Sequence, residues 1–491
     1  MDSLRYNQSC SVFMDSEELT IKDITEGLAA KEFSAVEIAE KFLDVIEKKD
    51  KDLNAFITTT PEFALEEARK IDEKIAKNES IGELAGVPVA IKDSILLEGV
   101  RCTAGSKILE YYTAPYDATA TKKLKEAGAV IVGKTNLDEF SMGSSTENSA
   151  FGVTKNPYDN TRVAGGSSGG SAVSVAATEC VGSLGGDTGG SIRLPASFCG
   201  VVGLKPTYGA VSRYGIIALA SSLDQIGPFA KTVEDTEILF NVIRGKDPLD
   251  ATSVESKISK QIQNSKFKIQ NLRIGVPKEY FGKGLDSAVK EIIKATLQKF
   301  EKQNAKIVEI SLPRVEQAVA VYYVINTSEA SANLARYDGM RYGLSVEKHD
   351  LLQTYLTSRG TGFGDEVKRR IILGTYVLST GYYDAYYSKA QRIRTLLAQD
   401  FEKAFEKVDV IMGPVSPTLP FKIGEKAADP LALYLADVYT VPVNLAGLPG
   451  LSVPIGMVEN LPVGLQIIGK PFSEDMLFSA AKMVEQFTQF A

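Results

Sequence analysis

The sequence predicts an α/β protein built on one doubly wound sheet. Three observations carry this. Short runs of strand length recur along the chain, most of them apolar, at 86–91 (GVPVAI), 129–132 (AVIV), 272–276 (LRIGV) and 306–310 (KIVEI); runs this short and apolar are what buried strands show. Segments with apolar residues at helical spacing lie between them. The order strand, helix, strand over 272–310 continues one sheet and calls for no second fold.

Taken in order, residues 17–79 read as helices. Ser34 and Glu37 form a capping box ahead of an apolar stripe of Val36, Ile38, Ala39, Phe42, Leu43 and Ile46,. A second helix, 61–77, carries Phe63, Ala64, Ala68, Ile71 and Ile75. Together they make a helical layer over the sheet. The strand 86–91 is followed directly by Lys92 and Asp93. A lysine there has two readings: a strand-end side chain that reaches solvent, or a desolvated amine whose pKa falls until it can act as a base.

Residues 128–135 match the phosphate-loop pattern G-x-x-x-x-G-K-T. The match fails physically. A phosphate loop needs its variable residues in a turn with converging N–H groups, and here they are Ala-Val-Ile-Val, which belong to the strand. Gly128 is better placed as a helix C-cap.

Residues 162–200 hold two clusters, GGSSGGS (165–171) and GGDTGGS (185–191), joined by an apolar segment that reads as a buried helix over 171–180. Glycine lets backbone N–H groups converge, and serine becomes an acyl acceptor when something takes its proton. Each cluster therefore suits both a nucleophile and an oxyanion site. A flexible linker is the plain alternative, and VSVAA between the glycines and IRLP after them argue against it. Gly165 to Gly169 also fits G-x-S-x-G, but that elbow must follow a strand and needs a histidine; NPYDNTRVA does not read as a strand. Beyond it, 233–243 and 287–303 read as helices, 245–270 as an exposed connection, 315–405 as helical and rich in tyrosine, 408–413, 450–455 and 463–468 as strands, and 474–487 as a last helix.

Composition narrows the chemistry. The 491 residues are 44% hydrophobic and 24% charged, as in an ordinary globular protein. No apolar run is long enough to cross a membrane, and the N-terminus lacks the apolar core of a signal peptide, so a cytoplasmic protein is expected. Cys10, Cys102, Cys180 and Cys199 show no C-x-x-C pairing, which indicates neither a disulfide framework nor zinc. The net charge of −7 lacks the basic excess of a protein that grips nucleic acid by itself. The single histidine, His349, lies in a polar stretch and reads as a surface residue. A Ser-His-Asp triad has no other histidine to use, and a two-histidine metal site is impossible.

VPVAIKD around Lys92, then GGSSGGSA, then GGDTGGSIRLPASFCG, resemble the amidase signature family, at separations of 75 residues from Lys92 to Ser167 and 24 from Ser167 to Ser191. The resemblance runs from about residue 17, which makes 17–491 one amidase signature domain and 1–16 an N-terminal extension. It implies a single large mixed β-sheet covered on both faces by helices. It also implies Ser191 as nucleophile, Ser167 as a bridging serine in cis conformation, Lys92 as terminal base, and an oxyanion hole from the N–H groups of Thr188, Gly189 and Gly190. NLDEFSMGSSTENSAFG (136–152), GLKPTYGAVSRYG, SSLDQIGP, EVKRRIILGTYVLSTGYYDAYY and VPVNLAGLPG resemble the branch that serves as glutaminase in tRNA-dependent amidotransferases. That branch implies glutamine as substrate. Ammonia passes to a B subunit that holds Glu-tRNA(Gln) and converts it to Gln-tRNA(Gln) with ATP and magnesium, and a small C subunit completes a heterotrimer. No cofactor, metal or membrane is implied for this chain. Glutamine's charged ends would fall to Tyr322, Arg370 and Asp437, with Tyr323 and Arg369 the adjacent alternatives. The chain departs from the branch at Leu194, where glutamine is usual, at Ser94, where asparagine is usual, and in RCTAGSKIL.

The chemistry also stands on the residues. With histidine effectively absent, lysine is the base available, provided that it is neutral, and a serine hydroxyl can relay a proton because it both donates and accepts. An arginine fork suits a carboxylate and an aspartate suits an ammonium. By residue type alone, Arg370 and Asp437 read first as a structural ion pair or surface charges; the resemblance reverses that. The competing readings are a stand-alone amidase acting on another small amide with the same triad, and a non-catalytic scaffold.

Overall fold

In chain order the strands are β1 (Phe56–Thr59), β2 (Pro88–Lys92), β3 (Val130–Thr135), β4 (Lys155–Asn156), β5 (Asp159–Val163), β6 (Gly182–Asp187), β7 (Val202–Lys205), β8 (Gln225–Ala230), β9 (Arg273–Pro277), β10 (Lys306–Ile310), β11 (Val410–Pro414), β12 (Gly450–Val458) and β13 (Leu461–Ile468). They come from a computed structural model that describes residues 19–255, 272–426 and 429–488. An 11-stranded sheet runs β1-β3-β2-β6-β8-β7-β12-β13-β11-β9-β10, and β4 and β5 pair as a separate ribbon. The sheet is mixed. β2 lies parallel to β3 and β6, and β9 parallel to β10 and β11. The strands between β6 and β11 alternate antiparallel.

Helices cover both faces. Gly182 and Gly185 are three residues apart on β6 and so face opposite ways. A Cβ at Gly182 would lie 2.5 Å from Leu239, on the helix Val233–Ile243, and one at Gly185 would lie 3.0 Å from the hydroxyl of Ser168, at the start of the helix Gly169–Ala176. β6 thus carries glycine because the helix Val233–Ile243 crowds one face, and the Phe229 ring of β8, 2.5 Å from a Cβ at Gly185, crowds the other together with the Ser168 turn,.

The N-terminal helices follow their sequence signals. Glu37 N–H donates to Ser34 Oγ at 3.1 Å and Ser34 N–H to Glu37 Oε2 at 2.8 Å, which closes the capping box of the helix Ala35–Leu53. Pro61 starts the helix Pro61–Ala76, where its missing N–H costs nothing,. The stretch 315–405 forms the helices Ala318–Asn333, Leu351–Gly362, Asp365–Leu378 and Lys389–Phe405. Their inward residues Ile325, Val367, Leu397 and Phe401 join Ile411 and Ile468 of the sheet in a second apolar core.

Several expectations change. Residues 17–79 are not all helical, because β1 interrupts them and pairs antiparallel with β3 at the sheet edge. The polar stretch NPYDNTRVA is largely a strand, β5, with its partner β4 just before it; the ribbon is half exposed, so apolar alternation does not mark it. β6, β7 and β8 are further strands that the sequence reading lacks. The buried helix starts at Gly169 and ends at Ala176 instead of spanning 171–180. All but the first two residues of the phosphate-loop match lie on β3, which is buried throughout, with Lys134 Nζ donating to the Ile95 carbonyl at 2.7 Å and pairing with Asp93 at 3.2 Å. His349 is exposed. Cys102, Cys180 and Cys199 are buried free thiols. The extension 1–16, with Cys10, lies outside the described residues, as does 256–270 of the expected connection.

Candidate active site

Three segments converge. β2 ends at Lys92, held between parallel neighbours β3 and β6. The turn 165–168 links β5 to the helix Gly169–Ala176. The loop 187–191 leaves the end of β6. The first and second meet at hydrogen-bond distance: Lys92 Nζ lies 2.7 Å from Ser167 Oγ and 2.8 Å from Ser168 Oγ. The second and third meet where Ser168 N–H donates to the Ser191 carbonyl at 3.2 Å. The Gly166–Ser167 peptide bond is cis. Lys92 and Ser167 are fully buried and Ser191 nearly so.

Burial sets the electrostatics of Lys92. Removal from water pushes its amine down to about 7, against the pull of Asp138, Asp187 and Asp224, which favour the charged form,. A large neutral fraction near neutral pH follows. Sequence reasoning misses Ser168, yet its hydroxyl meets Lys92 as closely as Ser167 does and also donates to the Gly186 carbonyl at 3.0 Å. Its place in GGSSGGS is the available signal.

The 187–191 loop is held from beneath. Asp187 accepts from Gly190 N–H at 2.8 Å and Ile192 N–H at 3.1 Å, and forms a fully buried pair with Arg193 at 3.1 Å. Burial opposes its ionisation, but Arg193 holds the carboxyl at about 2. Asn444 Nδ2 donates to the same carboxylate at 2.8 Å, and Thr440 Oγ1 to the Gly189 carbonyl at 2.7 Å. Thr188 Oγ1 donates to Asp224 at 2.7 Å. Of the three N–H groups expected to face an oxyanion, that of Gly190 is therefore already given to Asp187. Gly190 has φ +143, which a side chain rarely adopts,.

Of the three residues expected to hold an amino acid, Tyr322 and Asp437 lie against this loop, and Arg370 is linked to Tyr322 through Asn326. A Cβ on Gly189 would lie 2.7 Å from the Tyr322 hydroxyl, and one on Gly190 would lie 2.8 Å from Asp437 Oδ1. Arg370 is 2% exposed on the inner face of its helix, whereas Arg369 is exposed and pairs with Glu366. Arg370 Nε donates to Glu366 at 2.8 Å and one terminal nitrogen to Asn326 Oδ1 at 3.0 Å, while Asn326 Nδ2 donates to the Tyr322 hydroxyl at 3.3 Å. Two of the five guanidinium donors are spent in this way. Tyr323 faces elsewhere: its ring stacks on Tyr434 at 3.8 Å, and the Arg370 guanidinium lies over both. Burial pushes the Asp437 carboxyl up to about 7; Ser144 and the charges of Arg193 and Arg370 work against that shift. Asp437 Oδ1 is buried without a hydrogen-bond partner.

Two of the departures, Leu194 and Ser94, are held by local contacts. Leu194 packs with Val163, Phe198 and Phe421 in a small apolar cluster, and the Ser94 carbonyl accepts from Ile217 N–H at 2.7 Å. Among the described residues no cluster of His, Cys, Asp or Glu could hold a metal ion, and no helix is long and apolar enough to cross a membrane.

Known proteins resemble this chain over nearly its whole length. The amidase family model matches residues 37–478. The A subunit of the glutamyl-tRNA(Gln) amidotransferase from Carboxydothermus hydrogenoformans is 57% identical over 473 residues, covering 96% of this chain and 98% of its own length. Its counterpart from Thermoanaerobacter pseudethanolicus is 56% identical over 480 residues, covering 97% and 98%. The crystal structure of the Thermotoga maritima counterpart superposes with a TM-score of 0.77 at 42% identity, over 95% of this chain and 94% of that one.

Proposed function

This chain belongs to the amidase family, and on that premise we propose that it is the glutamine-hydrolysing A subunit of a glutamyl-tRNA(Gln) amidotransferase, with 17–491 acting as one amidase domain. The observation that carries the chemistry is the Lys92–Ser167 contact of 2.7 Å with a fully buried amine. The high identity to A subunits over nearly the whole length supports the choice of substrate.

In this reading neutral Lys92 takes the proton of Ser167, which takes that of Ser191. Ser191 Oγ attacks the side-chain amide carbon of glutamine. The oxyanion that forms is met by the backbone N–H groups of Thr188 and Gly189, aimed by the strand end and by the Thr440 and Asn444 contacts,. The same chain of hydroxyls returns a proton to the leaving nitrogen, and ammonia departs. Water then cleaves the glutamyl ester on Ser191 and frees glutamate. Arg370 takes the substrate carboxylate through its unspent donors, with Tyr322 beside it, and Asp437 Oδ1 takes the ammonium.

Ammonia then serves a partner B subunit that binds the tRNA and activates its glutamate with ATP and magnesium, with a C subunit completing the heterotrimer. The test is ammonia release from glutamine by the purified chain, alone and with its B and C subunits, together with Gln-tRNA formation from Glu-tRNA. The expected result is glutaminase activity in the assembled complex and transfer only with ATP. Rapid hydrolysis of aryl or peptide amides with none of glutamine would overturn the reading.

A further inference from the structure

Asp437 has one partnered and one open oxygen. Its Oδ2 accepts from the hydroxyl of Ser144, a bond that spans 293 residues of sequence. Its Oδ1 has no hydrogen-bond partner and faces the Gly190 backbone just before Ser191. Such an oxygen costs free energy unless something outside the protein completes it.

Ser144 itself is tightly placed. It is 2% exposed and lies in a segment clamped from two sides. Asp138 accepts from Thr146 N–H at 2.9 Å and Asn148 N–H at 3.1 Å. The Thr146 hydroxyl donates to the Gly165 carbonyl at 2.8 Å and accepts from Gly169 N–H at 3.1 Å. The strap 138–148 is thus fastened to the turn that carries Ser167, and its hydroxyl at 144 reaches across to the carboxylate.

We propose that Ser144 is a positioning residue: it fixes the rotamer of Asp437 so that Oδ1 meets the α-ammonium of the substrate, and so sets the preference for an α-amino acid amide. This rests on the glutaminase reading above. A hydroxyl donates to one oxygen and leaves the second as pure acceptor, which suits an ammonium and not a second anion. It also helps to keep the carboxylate charged. Burial, first, and the charge of Asp187 push Asp437 toward the neutral form, and Ser144, Arg193 and Arg370 oppose them. Lys426 also lies near enough to feel the Asp437 charge. Tyr322 lies at the same loop as a phenol, and burial moves its pKa further up from the ordinary tyrosine value.

The test compares two substrates on the assembled complex. Glutamine carries the α-ammonium; 4-carbamoylbutanoate has the same carboxylate and amide without it. Ser144→Ala is expected to raise KM for glutamine about tenfold, the loss of one hydrogen bond to a charged group, with kcat and all constants for 4-carbamoylbutanoate little changed. Ser144→Thr, which keeps the hydroxyl, is expected to restore most of the glutamine KM. If Ser144→Ala is not recovered folded, Ser144→Gly carries the same comparison. An unchanged glutamine KM, or equal losses on both substrates, would overturn the proposal. If the wild-type complex hydrolyses no glutamine, the glutaminase reading itself has failed, an outcome separate from either of these.

Discussion

The two halves of the pocket are built in contrasting ways. The hydroxyl and amine groups come from one continuous part of the chain, 92–191, and are placed by backbone: a strand end, a turn and a loop at a strand end. The groups proposed to hold the amino acid, Tyr322, Arg370 and Asp437, come from three separated segments and are placed by side-chain contacts with Asn326, Glu366 and Ser144. Backbone placement needs particular residues at fixed spacing, so it leaves a motif. Side-chain placement needs only compatible neighbours, so it leaves almost none. On the proposed function, the first half reacts and the second selects.

Substitutions can break or sharpen that division. The largest effect is expected for Ser191→Ala, which removes the acyl acceptor and should lower kcat for glutamine by on the order of 10⁴-fold or more. Ammonia release that persists in this variant would sink the mechanism. Lys92→Met should lower kcat by roughly 10²–10⁴-fold, the range for loss of a general base, and add little on top of Ser191→Ala because the groups act as a unit. In the wild type, kcat/KM should rise as pH passes about 7 and level off above it, since only the deprotonated amine accepts a proton and burial lowers its pKa to that value. A profile flat across that value, from well below it to well above it, would exclude Lys92 as base.

The selecting half should respond differently. Arg370→Lys keeps a charge against Glu366 but loses the planar fork; KM for glutamine is expected to rise roughly 10–100-fold with a smaller change in kcat. Tyr322→Phe removes one neutral hydroxyl at the Gly189 backbone, worth up to about tenfold in KM. Steady-state kinetics on glutamine separates these cases. If Tyr322→Phe lowered kcat as far as Lys92→Met does, the two halves would not be functionally distinct.

The same contrast explains what the sequence discloses. Lys92, Ser167 and Ser191 are visible because each sits in a glycine- or strand-bounded motif whose chemistry needs those residue types. Arg370 and Asp437 look like ordinary charges, and only family resemblance singles them out. Ser144 and Asn326 give no signal, because a serine or asparagine is marked by its partner and the partner is distant in sequence. The fold is legible where periodicity is strong, as in the helices Val233–Ile243 and Ser287–Lys302. Legibility fails at β6, where Gly182, Gly185 and Gly186 contradict strand propensity; tertiary crowding by Leu239 and Phe229, which sequence periodicity does not report, bears on that strand. It also fails at β1, four residues within a long helical stretch.

The anchoring of the 187–191 loop has a consequence for synthesis on the ribosome. Ser191 is translated well before the midpoint of the chain, but Thr440 lies 251 residues beyond the Gly189 that it fastens, and Asn444 257 residues beyond Asp187. A nascent chain that has already made Lys92 and both serines still lacks the ties that shape the loop around them. The ties that shape the loop therefore close only after the C-terminal part of the polypeptide has been made.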